Sequence, residues 1–252
     1  MPYLFTESGL TDLRRFVDHQ TLFAFDLDGT LAPITSDRHG TRVSEATTKE
    51  LAHLVDRAAV AIITGRSRSD AQARLGIVPR FLVGNHGAEG LPGWETREKK
   101  FAGICLAWEK QLRSFLPPAD ASGISIENKG STLSVHYRAA LDREKAHSLV
   151  LRGIDLLIPH PRRIEGKCVE NLLPEMAPDK GTAMRCLMGL SGCPKGLYTG
   201  DDVTDEDVFR LDSKHLLTIR VGTGGLSLAR YQLRNQQEIV RLLKEINHRL
   251  SQ

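Results

Sequence analysis

The chain has 252 residues, of which 40% are apolar and 26% are charged, and its formal net charge is +3. This composition is typical of a globular protein with one large domain or two smaller ones. No apolar run approaches the ~20 residues that a membrane span requires, and the positive charge lacks the dense basic face of nucleic-acid binding.

Composition and charge also indicate which partners and which cellular compartment to expect. We expect no membrane and no nucleic-acid partner, and the mild positive charge suits a small anionic substrate. Residues 1–10 include Glu7 and lack the basic and apolar segments of a secretory signal, which predicts a cytoplasmic protein. The four cysteines show neither a Cys-x-x-Cys pair nor zinc spacing, so we interpret them as reduced structural thiols. A monomer is the default expectation.

The first predicted strand ends in two aspartates. Residues 23–31 read Phe-Ala-Phe-Asp-Leu-Asp-Gly-Thr-Leu. Alternate side chains of a strand share a face, so Asp26 and Asp28 begin on the same side before Gly29 turns the chain. Two hard oxygen donors at the carboxyl edge of a sheet suit Mg²⁺. Asp26 is a candidate nucleophile for phosphorus and Asp28 a candidate acid and base, with a plain Asp-Gly turn as the alternative.

The next elements continue an alternation of helices and strands. The pattern predicts a helix at 44–57, a strand at 59–63, a helix at 67–75 and a strand at 81–84. The second predicted strand ends in Thr64-Gly65-Arg66. The Thr64 hydroxyl and the backbone N–H groups of this segment can bind phosphoryl oxygens, and Arg66 adds a positive charge. A helix-capping turn without a ligand is the alternative.

Residues 89–176 follow a different pattern. A predicted helix at 101–116 precedes two hairpin-like runs at 123–129 and 131–137, a helix at 142–157 and one extended stretch at 162–172. Proline residues mark both boundaries. We therefore expect an α+β cap domain at 89–176, inserted into a core that residues 1–88 and 177–252 form together.

The alternation resumes after the insert. The remaining predictions are a helix at 179–190, a strand at 196–199, a helix after Thr204, a strand at 216–221 and a terminal helix from about residue 235. The predicted fold class is therefore α/β, with a mostly parallel sheet covered on both faces.

Lys180 and an acidic loop complete the candidate site. A lysine at the positive end of a helix is unfavourable unless it reaches a phosphoryl group and Asp26, or is simply solvated at the surface. Four acids fall within residues 201–206. Asp201, with Asp202 or Asp205 behind it, predicts a Mg²⁺ site, and a solvated acidic helix cap is the alternative.

These motifs resemble those of a known superfamily. Asp-x-Asp-Gly-Thr, Thr-Gly-Arg, Lys180 and Gly-Asp-Asp-x-Thr-Asp occur in the order found in haloacid-dehalogenase-superfamily phosphatases. Residues 84–89, 127–138 and 166–169 are similar to the hinge and cap motifs of trehalose-6-phosphate phosphatases. The resemblance extends from about residue 22 to residue 224.

The resemblance implies a Rossmann-like core, a mobile cap, an essential Mg²⁺, and hydrolysis of trehalose 6-phosphate in trehalose biosynthesis. It implies that Asp26 is the nucleophile, that Asp28 is the acid and base, and that Thr64 and Lys180 bind phosphate. The predicted metal ligands are Asp26, Asp28, Asp201 and Asp202. The predicted substrate-binding residues are Arg66, His86, Gly87, Glu127, Lys129, Arg138, Lys167 and Asn171.

Three of these residues have an open alternative, and one departs from the family. His86 either touches the ligand or holds the hinge, and Glu127 with Lys129 would otherwise be an exposed cross-strand pair. Asn171 stands where the family has a sugar-binding glutamate, while Glu170 lies one residue earlier and so on the other face of a strand. Asn171 can hydrogen-bond a hydroxyl without a charge, so we expect altered sugar selectivity.

Other functions remain open at this point. A related phosphatase for sucrose 6-phosphate or a glucosylglycerol phosphate is the nearest alternative. A catalytically silent sugar-phosphate-binding module belongs to another class, although the complete set of acids and Lys180 argues against it. Phosphomutase activity is a further variant, which requires the acyl phosphate to be shielded from water.

Overall fold

The computed structural model describes residues 1–35, 40–118, 122–211 and 214–252. The chain divides into two compact units. The core unit comprises Met1–Leu91 and Pro178–Gln252, and the inserted unit comprises Pro92–Ala177.

Helices and strands alternate along most of the chain. The helices are α1 (Glu7–Phe16), α2 (Glu45–Val55), α3 (Arg68–Leu75), α4 (Glu95–Phe115), α5 (Arg143–Asp155), α6 (Lys180–Ser191), α7 (Glu206–Phe209) and α8 (Ile239–Leu250). The strands are β1 (Thr21–Phe25), β2 (Val60–Ile63), β3 (Phe81–Val83), β4 (Ser125–Asn128), β5 (Leu133–His136), β6 (Arg162–Gly166), β7 (Val169–Leu173), β8 (Lys195–Gly200), β9 (Leu216–Val221) and β10 (Tyr231–Leu233).

The core unit is built on a parallel sheet. Within the described residues its six strands lie in the order β10-β9-β8-β1-β2-β3, and every neighbouring pair is parallel. Every residue of the central strands β1 and β2 is buried, as expected for parallel strands covered by helices on both faces. Helix α8 contributes its apolar face, including Leu242 and Ile246, to the same core.

The inserted unit is built on an antiparallel sheet. Its strands lie in the order β4-β5-β7-β6. Trp108 of α4 and Val150 of α5 belong to one buried cluster with Val135 of β5 and Leu172 of β7. The helices therefore cover one face of this sheet, and side chains at alternate positions point to the other face.

The structure confirms the predicted fold class and corrects several element predictions. The single extended stretch predicted at 162–172 is wrong, because β6 and β7 form a hairpin whose turn places Cys168 at a φ of 60°. Helix α4 begins six residues earlier than predicted, at Glu95. Helix α1 and strand β10 had no counterpart in the predictions, and the helix expected after Thr204 is only the four residues of α7.

Membrane-crossing helices are absent from the part of the chain that the structure describes. None of the helices there is both long enough and apolar enough to cross a bilayer.

Candidate active site

The carboxyl ends of four core strands lie at one edge of the parallel sheet. Asp26 follows β1, Thr64 follows β2, Gly84 follows β3 and Asp201 follows β8. These four strands are neighbours in the order β8-β1-β2-β3. Residues from distant parts of the sequence therefore converge at the edge where open α/β sheets bind ligands.

Lys180 is a buried cation at this edge. Its side chain is 2% exposed, and Nζ lies 3.0 Å from Asp26 Oδ1 and 2.8 Å from Asp205 Oδ1. It is the first residue of α6, whose N-cap Asp179 accepts a hydrogen bond from Thr182 N. Burial lowers the pKa of Lys180, but the charges of Asp205 and Asp26 outweigh burial and raise it above its ordinary value. Lys180 is therefore an ammonium ion shared between two carboxylates.

Asp205 is fully buried and organises the acidic loop. Its Oδ1 accepts hydrogen bonds from Lys180 Nζ and, at 2.6 Å, from the Tyr198 hydroxyl. Its Oδ2 accepts hydrogen bonds from the backbone N–H groups of Asp201 and Asp202, both at 2.8 Å. Both oxygens of one carboxylate thus fix the loop that follows β8.

Asp201 packs against the turn that follows β1. Thr30 Oγ1 donates a hydrogen bond to Asp201 Oδ1 at 2.9 Å. Gly29 has a φ of +83°, and a Cβ at this position would overlap the Asp201 carboxylate. Glycine is required here both for the backbone conformation and for the space that the carboxylate occupies. The contact brings Asp201 next to Asp26.

Three carboxylates converge beside Lys180. Among the described residues, ligand oxygens of Asp26, Asp201 and Asp205 lie within 4.8 Å of one another. Burial and the nearby carboxylates raise the pKa of Asp26 well above its ordinary value, although Lys180 opposes the rise. Burial and the charge of Asp205 raise the pKa of Asp201 to about 7.

This donor set fits a divalent cation. Mg²⁺ prefers hard oxygen ligands, and one ammonium does not neutralise three carboxylates. Asp26 and Asp201 fit best as ligands, because both oxygens of Asp205 already accept hydrogen bonds. Asp202 is exposed and its Oδ1 accepts a hydrogen bond from Val203 N, so its carboxylate lies outside the cluster.

The carboxylate of Asp28 also lies outside the cluster and is bound to Arg66. Arg66 Nε donates to Asp28 Oδ2 at 2.6 Å, and Nη2 donates to Oδ1. Arg66 Nη1 donates to Asp70 Oδ2 at 2.7 Å. Burial lowers the pKa of Arg66, but hydrogen bonds with Asp28 and Asp70 outweigh burial and raise it. Arg66, predicted to bind substrate, therefore links two carboxylates from different segments.

Thr64, predicted to bind phosphate, lies in the turn that follows β2, and His86 and Gly87, predicted to bind substrate, lie in the segment that follows β3. Thr64 is buried, and its Oγ1 accepts a hydrogen bond from Arg66 N at 3.2 Å. His86 has a φ of 58°, and a Cβ on Gly65 would overlap its ring. Gly87 has a φ of +115°, and a Cβ there would lie 2.7 Å from Asp179 O, next to the start of α6. The segment after β3 thus packs against both the Thr64 turn and the helix that carries Lys180.

In the inserted unit, polar side chains occupy the face of the sheet opposite the helices. Glu127 Oε2 lies 2.8 Å from His136 Nε2. Ser134 Oγ donates to Asn171 Oδ1 at 2.7 Å, and Asn171 Nδ2 donates to Ile164 O at 3.2 Å. The amide of Asn171 is therefore engaged within the sheet at both of its ends.

Three predicted substrate-binding cations lie at the ends of these strands. Lys129 follows β4, and its backbone N–H donates to Thr132 O at 2.9 Å. Arg138 is exposed, and its Nη2 donates to Lys167 O in the turn between β6 and β7 at 3.1 Å. Lys167 itself is exposed. The structure thus groups Arg138 with Lys167, whereas Lys129 lies at the other end of the β4–β5 hairpin.

Glu170 points to the helix-covered face, as its offset from Asn171 by one position requires. Its side chain is fully buried, with Oε1 2.7 Å from His147 Nε2 and Oε2 3.3 Å from Arg163 Nε. The ring of His147 stacks on Tyr137, with centroids 4.7 Å apart. Glu170 is therefore a scaffold residue of the inserted unit.

Some residues of these networks were absent from the predictions. Asp70 lies four residues after Arg66, and this spacing is the signal that the sequence contained for the pair, although Arg66 itself precedes the N-cap of α3. Tyr198 and Thr30 carry no such signal, because their contacts with Asp205 and Asp201 depend on how strands and loops meet in space.

Comparison with known proteins agrees with this geometry. The sequence model of the trehalose-phosphatase family matches residues 24–225. A trehalose-phosphate phosphatase of Mycobacterium tuberculosis is 31% identical over 227 residues, which cover 84% of this chain and 56% of the relative. One from Mycolicibacterium paratuberculosis is 31% identical over 203 residues, covering 76% of this chain and 51% of the relative. The chain thus spans about half the length of the curated relatives it matches.

Solved structures show the same fold. The crystal structure of a trehalose-6-phosphate phosphatase related protein has a TM-score of 0.75 at 23% identity, and the match covers 90% of this chain and 97% of that one. Aspergillus fumigatus trehalose-6-phosphate phosphatase has a TM-score of 0.66 at 25% identity and covers 98% of this chain and 99% of its own. This chain belongs to the trehalose-phosphatase family of the haloacid-dehalogenase superfamily.

Proposed function

We propose that this chain is an Mg²⁺-dependent phosphatase that hydrolyses trehalose 6-phosphate to trehalose and phosphate through an aspartyl phosphate on Asp26. Membership of the trehalose-phosphatase family supports the reaction class and the substrate. The observation that carries the proposal is the buried ion pair of Asp26 with Lys180, next to the carboxylate of Asp201. Excess negative charge at the edge of a parallel sheet suits a divalent cation, which together with Lys180 would offset the charge of a phosphate ester.

The proposed chemistry has two displacement steps at phosphorus. In the first, a carboxylate oxygen of Asp26 bonds to phosphorus, the bond from phosphorus to the sugar oxygen breaks, and the protonated form of Asp28 donates its proton to the leaving oxygen. In the second, Asp28 takes a proton from water as the water oxygen bonds to phosphorus. The bond from phosphorus to the Asp26 oxygen breaks, which releases phosphate and restores the carboxylate of Asp26.

Other residues of the core unit bind and orient the phosphoryl group. Lys180 offsets the negative charge that develops during transfer, and Thr64 donates a hydrogen bond to a phosphoryl oxygen. Asp26 and Asp201 would hold Mg²⁺, which supplies positive charge to the phosphoryl oxygens when bound.

The inserted unit is proposed to act as the cap that recognises the sugar. Glu127, Lys129 and Arg138 offer one carboxylate and two cations, which suit hydroxyl groups through charge-assisted hydrogen bonds. Lys167 extends this set next to Arg138. His86 and Gly87 are proposed to form the substrate-facing part of the turn after β3.

The direct test is release of phosphate from trehalose 6-phosphate with Mg²⁺ and with excess chelator. We expect turnover by the wild type only with Mg²⁺ and none by Asp26→Asn. The matched control is Asp18→Asn, which removes an aspartate paired with Lys195 at 2.6 Å near the amino ends of β1 and β8. Equal turnover by Asp26→Asn and the wild type would refute the proposal.

A second candidate substrate class is favoured by Asn171. Its amide hydrogen-bonds to Ser134 and to Ile164 O and carries no charge, so the inserted unit has one charged sugar contact fewer than the family pattern. Sucrose 6-phosphate and a glucosylglycerol phosphate are the alternatives to compare with trehalose 6-phosphate in one panel. A higher kcat/KM for either alternative would replace trehalose 6-phosphate as the assigned substrate and leave the phosphatase chemistry intact.

A further inference from the structure

Arg66 lies between two carboxylates that come from different parts of the core unit. Its side chain is only 4% exposed. Both Nε and Nη2 bind Asp28, in the turn after β1, whereas Nη1 binds Asp70, in the first turn of α3. The guanidinium therefore has a fixed orientation, because its fork contacts one carboxylate in a bidentate manner and the other at a separate nitrogen.

Asp70 is itself held from the next turn of α3. Arg74 Nη2 lies 2.9 Å from Asp70 Oδ1, and the side chain of Arg74 is only 9% exposed. Ser67 Oγ, the N-cap of the helix, accepts a hydrogen bond from Asp70 N at 3.3 Å. The carboxylate of Asp70 is thus fixed to the start of a helix that follows the Thr64 turn directly.

We propose that Asp70 is a positioning residue for the phosphatase reaction, which fixes the carboxylate of Asp28 through Arg66. The inference rests on the proposed function, because it assumes that Asp28 transfers the proton to the leaving sugar oxygen. Proton transfer needs a donor within hydrogen-bond reach of the reacting oxygen, and small displacements of such a group slow the reaction strongly. Asp28 sits in a turn with a side chain that is 36% exposed, so its own packing fixes it less well than Arg66 does.

Two substrates with different leaving groups can distinguish a positioning role of Asp70 from a merely structural one. A sugar alcohol leaves poorly without a proton, whereas 4-nitrophenolate leaves readily without one. Loss of Asp28 placement therefore slows the sugar ester and spares the aryl ester. The readout is kcat/KM, because this constant reports the steps up to the departure of the leaving group.

The experiment compares Asp70→Ala with the wild type on trehalose 6-phosphate and on 4-nitrophenyl phosphate. We expect a loss of about tenfold in kcat/KM on the sugar ester, a fraction of the ~10²–10⁴-fold effect of acid–base catalysis, and a change within about twofold on the aryl ester. Asp70→Glu should recover part of the loss, because it restores a carboxylate for Arg66. The matched control is Glu245→Ala, which removes an exposed ion pair with Arg14 and should change neither substrate.

A double variant tests whether Asp70 acts through Asp28. Asp70→Ala added to Asp28→Asn should cause no further loss on the sugar ester, because the group that Asp70 positions is already absent. Equal losses on both esters, no loss on either, or additive losses in the double variant would overturn the inference. Failure of the proposed function is distinct, because the wild type itself would then not release phosphate from trehalose 6-phosphate.

Discussion

In the core unit the buried ammonium of Lys180 lies between the carboxylates of Asp26 and Asp205, with Asp201 close by. In the inserted unit the buried carboxylate of Glu170 lies between His147 and Arg163. The core arrangement keeps an excess of negative charge, whereas each oxygen of Glu170 has a partner.

The difference separates a candidate reactive centre from a scaffold. Like charges held together in a buried place cost folding free energy, and such clusters are enriched at functional sites. The buried carboxylate of Glu170 has a partner at each oxygen and instead stabilises the packing of the inserted unit. Through His147 it joins β7 to α5, and through Arg163 it joins β7 to β6. Residues of the first kind should change catalysis when replaced, and residues of the second kind should change mainly stability.

The largest expected effect comes from Lys180→Met. The variant leaves Asp26 and Asp205 without their ammonium, so we expect kcat for trehalose 6-phosphate to fall by about a thousandfold, near the upper end of what one electrostatic donor contributes. The control is Lys195→Met, which removes a lysine paired with Asp18 away from the site. Steady-state kinetics of both variants checks the prediction, and a similar fall in both would contradict it.

The next effect is on stability and concerns the inserted unit. His147→Ala combined with Arg163→Ala leaves Glu170 buried without these partners, which should cost about 3 kcal/mol of unfolding free energy. Adding Glu170→Leu should restore most of the loss, because an apolar side chain needs no partner in that place. Urea denaturation measures the unfolding free energy of the wild type, the double variant and the triple variant. A triple variant no more stable than the double variant would show that Glu170 does not account for the loss.

A smaller effect is expected for Gly29→Ala. The new Cβ overlaps the Asp201 carboxylate, and a φ of +83° is strained for alanine. We expect about 1–2 kcal/mol of destabilisation and a several-fold higher Mg²⁺ concentration for half-maximal activity. Gly224→Ala is the control, since a Cβ there meets no atom within 4 Å and its φ is not positive. An unchanged Mg²⁺ dependence in Gly29→Ala would contradict the placement of Asp201 as a ligand.

The smallest effect is expected for Asp202→Asn. The carboxylate of Asp202 is exposed and accepts a hydrogen bond from Val203 N, which an asparagine can also accept. We expect kcat and the Mg²⁺ dependence to change by no more than about threefold, a difference below 1 kcal/mol by transition-state arithmetic. A hundredfold loss would return Asp202 to the set of metal ligands that the sequence predicted.

The sequence predicted β1, β2, β3, β8 and β9 of the core unit in their order, because each of these strands is a short apolar run. It failed at 162–172, where the turn contains no Asn-Gly or Asp-Gly signal and Cys168 adopts the left-handed conformation instead. It placed Asp26 and Asp201 at one edge of the sheet, because parallel strands share that edge. It singled out Lys180 because a cation is unfavourable at the start of a helix.

The side-chain partners within the site were beyond prediction. Strand alternation predicts that Asp26 and Asp28 begin on one side, but β1 ends at Phe25, before both residues, and their carboxylates take different partners. Asp26 then pairs with Lys180 of α6, and Asp28 pairs with Arg66 after β2. Which partner each acid takes depends on side-chain packing between loops, and no periodic pattern encodes it.

The most direct test of Asp26 as the nucleophile is a crystal structure of the protein with Mg²⁺ and beryllium trifluoride, an analogue of a phosphoryl group on a carboxylate. We predict that beryllium is bonded to a carboxylate oxygen of Asp26 beside Lys180, with Mg²⁺ bound by carboxylate oxygens of Asp26 and Asp201. Mg²⁺ bound elsewhere, or beryllium bonded to another carboxylate, would contradict the assignment of Asp26 as the nucleophile and of Asp201 as a metal ligand.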